Sequence, residues 1–343
     1  LNYNKRTLLL LIYLVIVVSC KKTRLPFSNI INLKNIPTSP SDEGLNAFFD
    51  LGSWMGFSLS DDKTTTGFSG PYILGFDHGV WASDNFTSLD LVTENGNSIL
   101  TNLKYSEQNY FPGRLENQMN FEEINLKSTL IYTSDKSLII SSTITNNGNQ
   151  NLKFTPQWKG EIFDKIGIFI NKDTLLITLL DNNQKIFIRP ISDEPFNIYS
   201  DSNKYVFSLK NNNLKPKETK TYTIEIQYHP DQKKLKKLIR KTDVSQTLRN
   251  NHLRWEKYLE ISNKKSLSKE EKLILIKSIC TLINNWRSAA GALKHDGLFP
   301  SYHYKWFQGF WSWDSWKHAV ALVKIDAELA KNQVRAMYDY QNK

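Results

Sequence analysis

At 343 residues the chain is long enough for two domains, and 40% hydrophobic, 12% aromatic and 23% charged residues make an ordinary globular composition, not a disordered or fibrous one. The formal net charge of +10 does not mark a nucleic-acid binder, because Lys and Arg are spread along the chain and no recognised nucleic-acid motif accompanies them. The two cysteines, Cys20 and Cys280, sit in contexts too different to suggest an intramolecular disulfide.

The first predicted element is an export signal. Lys5 and Arg6 form a positive start, Leu8 to Val18 an apolar stretch shorter than the roughly 20 residues a bilayer span needs, and Val17-Val18-Ser19-Cys20 a lipobox-like cleavage site. The pattern resembles bacterial lipoprotein signals. Residues 1–20 are therefore expected to be a signal peptide, with Cys20 as the acylated new N-terminus and the membrane reached through a lipid anchor. The implied location is the cell envelope of a bacterium, in the periplasm or on the outer membrane. A short membrane anchor or an ordinary secretory signal is the alternative. Residues 21–45, polar and containing Pro and Ser, read as a tether.

From 46 to 230 the expectation is a β-sandwich. Tyr222, Ile224, Ile226 and Tyr228 alternate with Thr223, Glu225 and Gln227, the period of a half-buried strand, and the alternation recurs in Leu138 to Ile144, Lys185 to Ile191 and Tyr205 to Leu209. Asn95-Gly96 and Asn147-Gly148 read as hairpin-type turns between such runs. Many short strands without a long helix between them suit a sandwich. Gly75 to Asp84, with Asp77, His78, Trp81 and Asp84, could be a binding edge or a packed loop.

The texture then turns helical. Residues 231–263 read as a helical linker, in which Lys233, Lys234, Lys236, Lys237, Arg240 and Lys241 alternate with Leu235, Leu238 and Ile239 as a solvated face. Residues 264–343 hold a helix starting at Ser268, with Leu273, Ile274, Ile276, Ile279, Leu282 and Ile283 apolar on more than one side and Cys280 as a small buried hydrophobe. A loop from Ala289 to Phe310, a helix from about Ser315 to Val323 and another capped by Asp326 complete the chain.

The chemistry concentrates in Phe310-Trp311-Ser312-Trp313-Asp314-Ser315-Trp316-Lys317. A carboxyl group sheltered among indoles has its neutral form favoured and can donate a proton, while ring faces hold pyranose rings. Trp306, Phe307, Phe310, Trp311 and Trp313 are candidates for a sugar-binding wall, or for ordinary core. Lys317 could hydrogen-bond a sugar hydroxyl, hold the carboxylate, or stand in solvent. Asp314 could instead cap its own helix. The histidines, His78, His229, His252, His295, His303 and His318, show no metal-ligand spacing, so neither a metal nor a cofactor is expected.

Together, Asn284-Asn285-Trp286-Arg287, Lys294 to Pro300, Lys305-Trp306-Phe307 and Trp313 to Ala319 resemble bacterial glucosidases of glycoside hydrolase family 63, relatives of the processing glucosidase that trims mannosyl-oligosaccharides. The resemblance is tight over 284–341 and only architectural over 46–230. It implies a β + α multidomain protein, an N-terminal β-sandwich (supersandwich) followed by the first helices of an (α/α)6 barrel. It implies hydrolysis of α-glucosidic bonds of oligosaccharides with inversion, and Asp314 as general acid. Inversion needs a second carboxylate about 6.5–9.5 Å away; the resemblance places it on a glutamate beyond Lys343, so the 343 residues are expected to carry the acid and part of one sugar subsite. The alternative is a non-catalytic carbohydrate-binding cell-envelope lipoprotein.

Overall fold

The computed structural model describes residues 27–44, 46–74, 79–163, 167–171, 174–178, 184–230 and 243–341. The signal peptide with Cys20, the basic run from 233 to 241, and Asp77 and His78 lie outside them.

Strands β1 (Met55–Ser58), β2 (Ser69–Leu74) and β3 (Gly79–Trp81) form a small antiparallel sheet. They are followed by β4 (Asn85–Val92), β5 (Tyr105–Phe111), β6 (Arg114–Asn120), β7 (Ile124–Ser134), β8 (Ser137–Asn146), β9 (Leu152–Glu161), β10 (Gly167–Asn171), β11 (Thr174–Thr178) and β12 (Lys185–Pro190). The last of the run are β13 (Phe196–Asp201), β14 (Lys204–Leu209), β15 (Asn212–Leu214) and β16 (Thr219–His229). An eight-stranded sheet runs β10-β11-β12-β16-β8-β7-β6-β5, and a five-stranded one runs β13-β14-β9-β15 with β4 also paired to β9.

Alternating apolar residues give each large sheet one apolar face, and the two faces share one core. Leu126 and Leu130 of β7, Ile140 and Ile144 of β8 and Ile224 and Ile226 of β16 belong to the same buried cluster as Leu89, Phe154, Trp158 and Phe207 of the other sheet. The Trp158 and Tyr222 rings meet across the layers at 6.2 Å between centroids. In the described part of the 75–84 segment, Trp81, packed on Tyr72, and Ala82 and Ser83 are buried, while Asp84 is exposed.

Two expectations are corrected. At Asn147-Gly148 there is no hairpin: β8 and β9 belong to different sheets, and the Asn146 side chain turns the chain between them by accepting from Gly148 N and donating to the Gln150 and Leu214 carbonyls. The described part of the 21–45 tether, residues 27–44, lies on the sandwich. Leu33 is in the core, Phe27, Ile30 and Ile31 pack against it, and Asn29 N donates to Tyr110 O at 2.7 Å.

The helical part comprises α1 (Val244–Leu259), α2 (Lys269–Asn285), α3 (Ser312–Leu322) and α4 (Ala327–Asp339). Each of three starts has a capping side chain: Asp243 accepts from Gln246 N, Ser268 and Glu271 form a capping box, and Asp326 accepts from Leu329 N. Helix α2 buries Ile276, Ile279, Cys280 and Ile283 and leaves Ile274 exposed. Burial pushes the Cys280 thiol up to about 12, which leaves it an inert apolar group. Helices α3 and α4 pack against each other.

Candidate functional site

The polar run at the end of α2 is a clamp between the helices and the sandwich. Asn284 accepts from Phe49 N at 2.6 Å and donates to Ala47 O and the Tyr302 hydroxyl. Asn285 accepts from Tyr302 N. Arg287 is fully buried, stacks on the Phe49 ring at 4.1 Å, and donates to the Asn284 and Trp286 carbonyls. Ser288 N donates to Gly52 O, and Trp54 Nε1 to Ser288 O. Asp296 accepts from Trp286 Nε1 and Ala289 N. The 289–310 loop is thus fixed on the sandwich before it delivers the Trp-rich segment. Short strand β17 (Trp286–Arg287), just before the loop, pairs with β18 (Gly297–Leu298) inside it, and Leu298 N donates to Gln333 of α4.

Helix α3 starts earlier than its expected position, with Trp311 at the N-cap and Asp314 in the first turn. Asp314 is therefore not the cap. Its carboxyl group is half-buried, and no donor among the described residues bonds to it. Two of the expected sheltering indoles turn away from it for a geometric reason. Trp313 and Trp316 are one and two residues from Asp314, and such neighbours on a helix do not face each other. Their side chains stand out at 73% and 54% exposure, and Trp306 at 84%. Phe307 and Trp311, both exposed, pack ring to ring at 5.4 Å. Lys317 lies over the Trp313 and Trp316 rings at 5.4 and 5.5 Å rather than on the carboxylate.

The group one turn along that does share the Asp314 face is His318. It is half-buried, its Nδ1 has no hydrogen-bond partner among the described residues, and burial lowers its pKa, with Lys317 adding to the effect and Asp314 opposing it. His318 lies within the Trp313–Ala319 run, and its spacing of four from Asp314 is the signal the sequence offers for their shared face.

Of the candidate wall residues, Phe310 lines a concavity. A cavity of about 450 Å³ lies between loop, sandwich and α4, bounded by Trp54, Leu293, Phe299, Gln308, Phe310 and Met337 among others. Gln308 also donates to the Tyr72 hydroxyl. The carboxylates that follow Asp314 are all engaged: Asp326 caps α4 and accepts from the Tyr258 hydroxyl, Glu328 pairs with Lys331, and Asp339 holds His295 at 2.7 Å.

Residues 37–175 match the family model described as Glucosidase YgjK, N-terminal. That part of the sandwich is similar to N-terminal domains of glucosidases, a coarser likeness than family 63. It falls on the part of the chain where the motif resemblance was weakest, and it stops short of 284–341. Among solved structures, a putative kojibiose phosphorylase from human microbiome is similar at 9% identity and a TM-score of 0.49, over 85% of this chain and 46% of that one. The chain thus spans less than half the length of that protein. A putative aldose 1-epimerase from Escherichia coli K12 has 9% identity and a TM-score of 0.38, over 54% of this chain and 99% of that one. Heparan sulfate lyase HepC from Pedobacter heparinus has 8% identity and a TM-score of 0.32, over 42% of this chain and 24% of that one. All stay below a TM-score of 0.5, and no activity is carried over from them.

Proposed function

We propose that this chain belongs to a glycosidase that cleaves α-glucosidic bonds of oligosaccharides with inversion, with Asp314 as general acid. The observation that carries this reading is the glucosidase-type sandwich model over residues 37–175, joined through the Asn284–Arg287 clamp to an exposed tryptophan surface with a half-buried carboxylate in its midst. Aromatic faces pack on the apolar face of a pyranose, and an acidic side chain beside them reaches its oxygens. In this reading helices α1 to α4 open an (α/α)6 barrel, the base comes from outside the 343 residues, and Cys20 carries the acyl chains of an envelope lipoprotein.

One observation favours a second role for the same residue. A half-buried carboxylate with no protein donor among the described residues is suited to accept hydrogen bonds from sugar hydroxyls. The two roles separate in one experiment on Asp314→Asn. A general acid contributes about 10²- to 10⁴-fold to cleavage of a poor leaving group and nothing to α-glucosyl fluoride, whose leaving group needs no proton. Loss on oligosaccharides with fluoride turnover kept supports the acid; equal loss on both makes Asp314 a binding carboxylate. Unchanged turnover of both excludes it from the site.

A further inference from the structure

Arg287, at the centre of the clamp, carries a charge that the protein around it does not balance. Its side chain is 0% exposed, and burial brings the guanidinium down only to about 9, so it is cationic at pH 7. The groups that act on it electrostatically are the Tyr302, Tyr132 and Tyr72 hydroxyls. Burial raises all three above their ordinary value, so they are neutral at the same pH. The fully buried carboxylate of the joint, Asp50, is already matched by Arg254.

Its hydrogen bonds are also incomplete. Nη1 donates to the Asn284 carbonyl at 2.9 Å and to that of Trp286, whereas Nε and Nη2 are buried and meet no acceptor among the described residues. The central carbon lies 4.1 Å from the Phe49 ring, 5.8 Å from that of Tyr302 and 5.9 Å from that of Phe299. Ring faces offset part of the cost of taking a cation out of water. They do not supply the full negative charge that a buried cation calls for.

The hydroxyls that act on Arg287 add further donors. Tyr302 Oη accepts from Asn284 Nδ2 at 3.1 Å and Tyr72 Oη from Gln308 Nε2 at 3.2 Å, and among the described residues neither phenol proton has an acceptor. Gln308 Nε2 also donates to Tyr302 O at 2.9 Å, which ties the two tyrosines into one shell. Unspent donors thus gather around one uncompensated positive charge. A water molecule would satisfy the donors and bring no charge. A carboxylate or phosphate would bring charge with a bulk that a side chain sealed from solvent does not admit.

We infer that Arg287 holds a monatomic anion of the chloride type, enclosed where the sandwich, the end of α2 and the 289–310 loop meet. The site goes beyond the proposed activity, and its failure leaves the reading of Asp314 untouched.

The test is urea unfolding of the full chain at constant ionic strength, with chloride replacing gluconate. A ligand held by the folded chain alone stabilises it through the logarithm of one plus its concentration over Kd, so above Kd each tenfold rise in chloride should lower the unfolding equilibrium constant about tenfold. Screening of surface charges follows ionic strength and is equal in the two salts. Arg287→Met should be flat in chloride. No chloride response in the unmutated chain, or the same response in Arg287→Met, overturns the proposal. Should Arg287→Met fail to fold, crystals of the unmutated chain grown in bromide decide: an anomalous peak within hydrogen-bond reach of Nε or Nη2 supports the ion, and a water or no density there overturns it.

Discussion

Asp314 and His318 lie one turn apart on α3, and the pair illustrates what single residues could and could not disclose. The residue types of the tryptophan segment, and the start of a helix there, are legible in the linear run. Which side chains face the carboxylate is not, because a helix turns about 100° per residue and only positions three and four away share a face. His318 supplies a pH prediction. Burial lowers its pKa from 6.5, so the folded chain binds that proton less readily than the unfolded one. Its contribution to stability is then intact above about pH 6.5 and is lost as the pH falls from there through the depressed folded value. Urea midpoints should drop between pH 7 and pH 5, and His318→Gln should remove part of that drop. His229, whose pKa burial also lowers, accounts for the loss in this range that the variant keeps, and Asp42 and Glu116, whose carboxyls sit below their ordinary values, for further loss at lower pH. An identical pH slope in both proteins would take His318 out of the account.

Among elements, the strands and caps were legible because their signals are local. A period of two marks β8, β12, β14 and β16, and a Ser with Glu three residues on marks the start of α2. The Asn147-Gly148 link and the packing of 27–44 were not, since which sheet a strand joins, or whether a polar stretch lies on it, depends on residues far along the chain. The approach of α1 to the β5–β6 hairpin is such a non-local feature. Gly113 has φ +83°, and an added Cβ would fall within the Trp255 indole. Gly96 has φ +80° with open space around it. Gly96→Ala should therefore cost only the backbone strain, about 1–2 kcal/mol, whereas Gly113→Ala adds overpacking of about 1–3 kcal/mol. Chemical denaturation of the two variants checks the difference, and equal losses would mean that Trp255 moves aside freely.

At the scale of the whole molecule, the sandwich and the helices are joined through a buried charge. Asp50 is fully buried and accepts from Arg254 Nη1 at 2.8 Å, Arg254 Nη2 at 2.6 Å and Trp255 Nε1 at 2.9 Å. Arg254 also lies over the Trp255 and Tyr258 rings, and Tyr258 reaches Asp326 at the start of α4. One carboxylate from the strand-entry segment thus orders α1, and through it the helix pair that presents the tryptophan surface. Removing one partner of such a pair leaves a buried charge unmatched, at about 3–5 kcal/mol. Asp50→Asn should lower stability by that order, and Arg254→Met in the same chain should restore part of the loss, since no unpaired guanidinium remains. The double-mutant cycle, read by urea unfolding, gives the coupling directly. If the helices depend on this joint, tryptophan fluorescence and the far-ultraviolet strand signal should lose their coincidence in Asp50→Asn, with the helical part melting first. Coincident transitions at the unmutated midpoint would instead show that the Asn284–Arg287 clamp alone holds the two halves together.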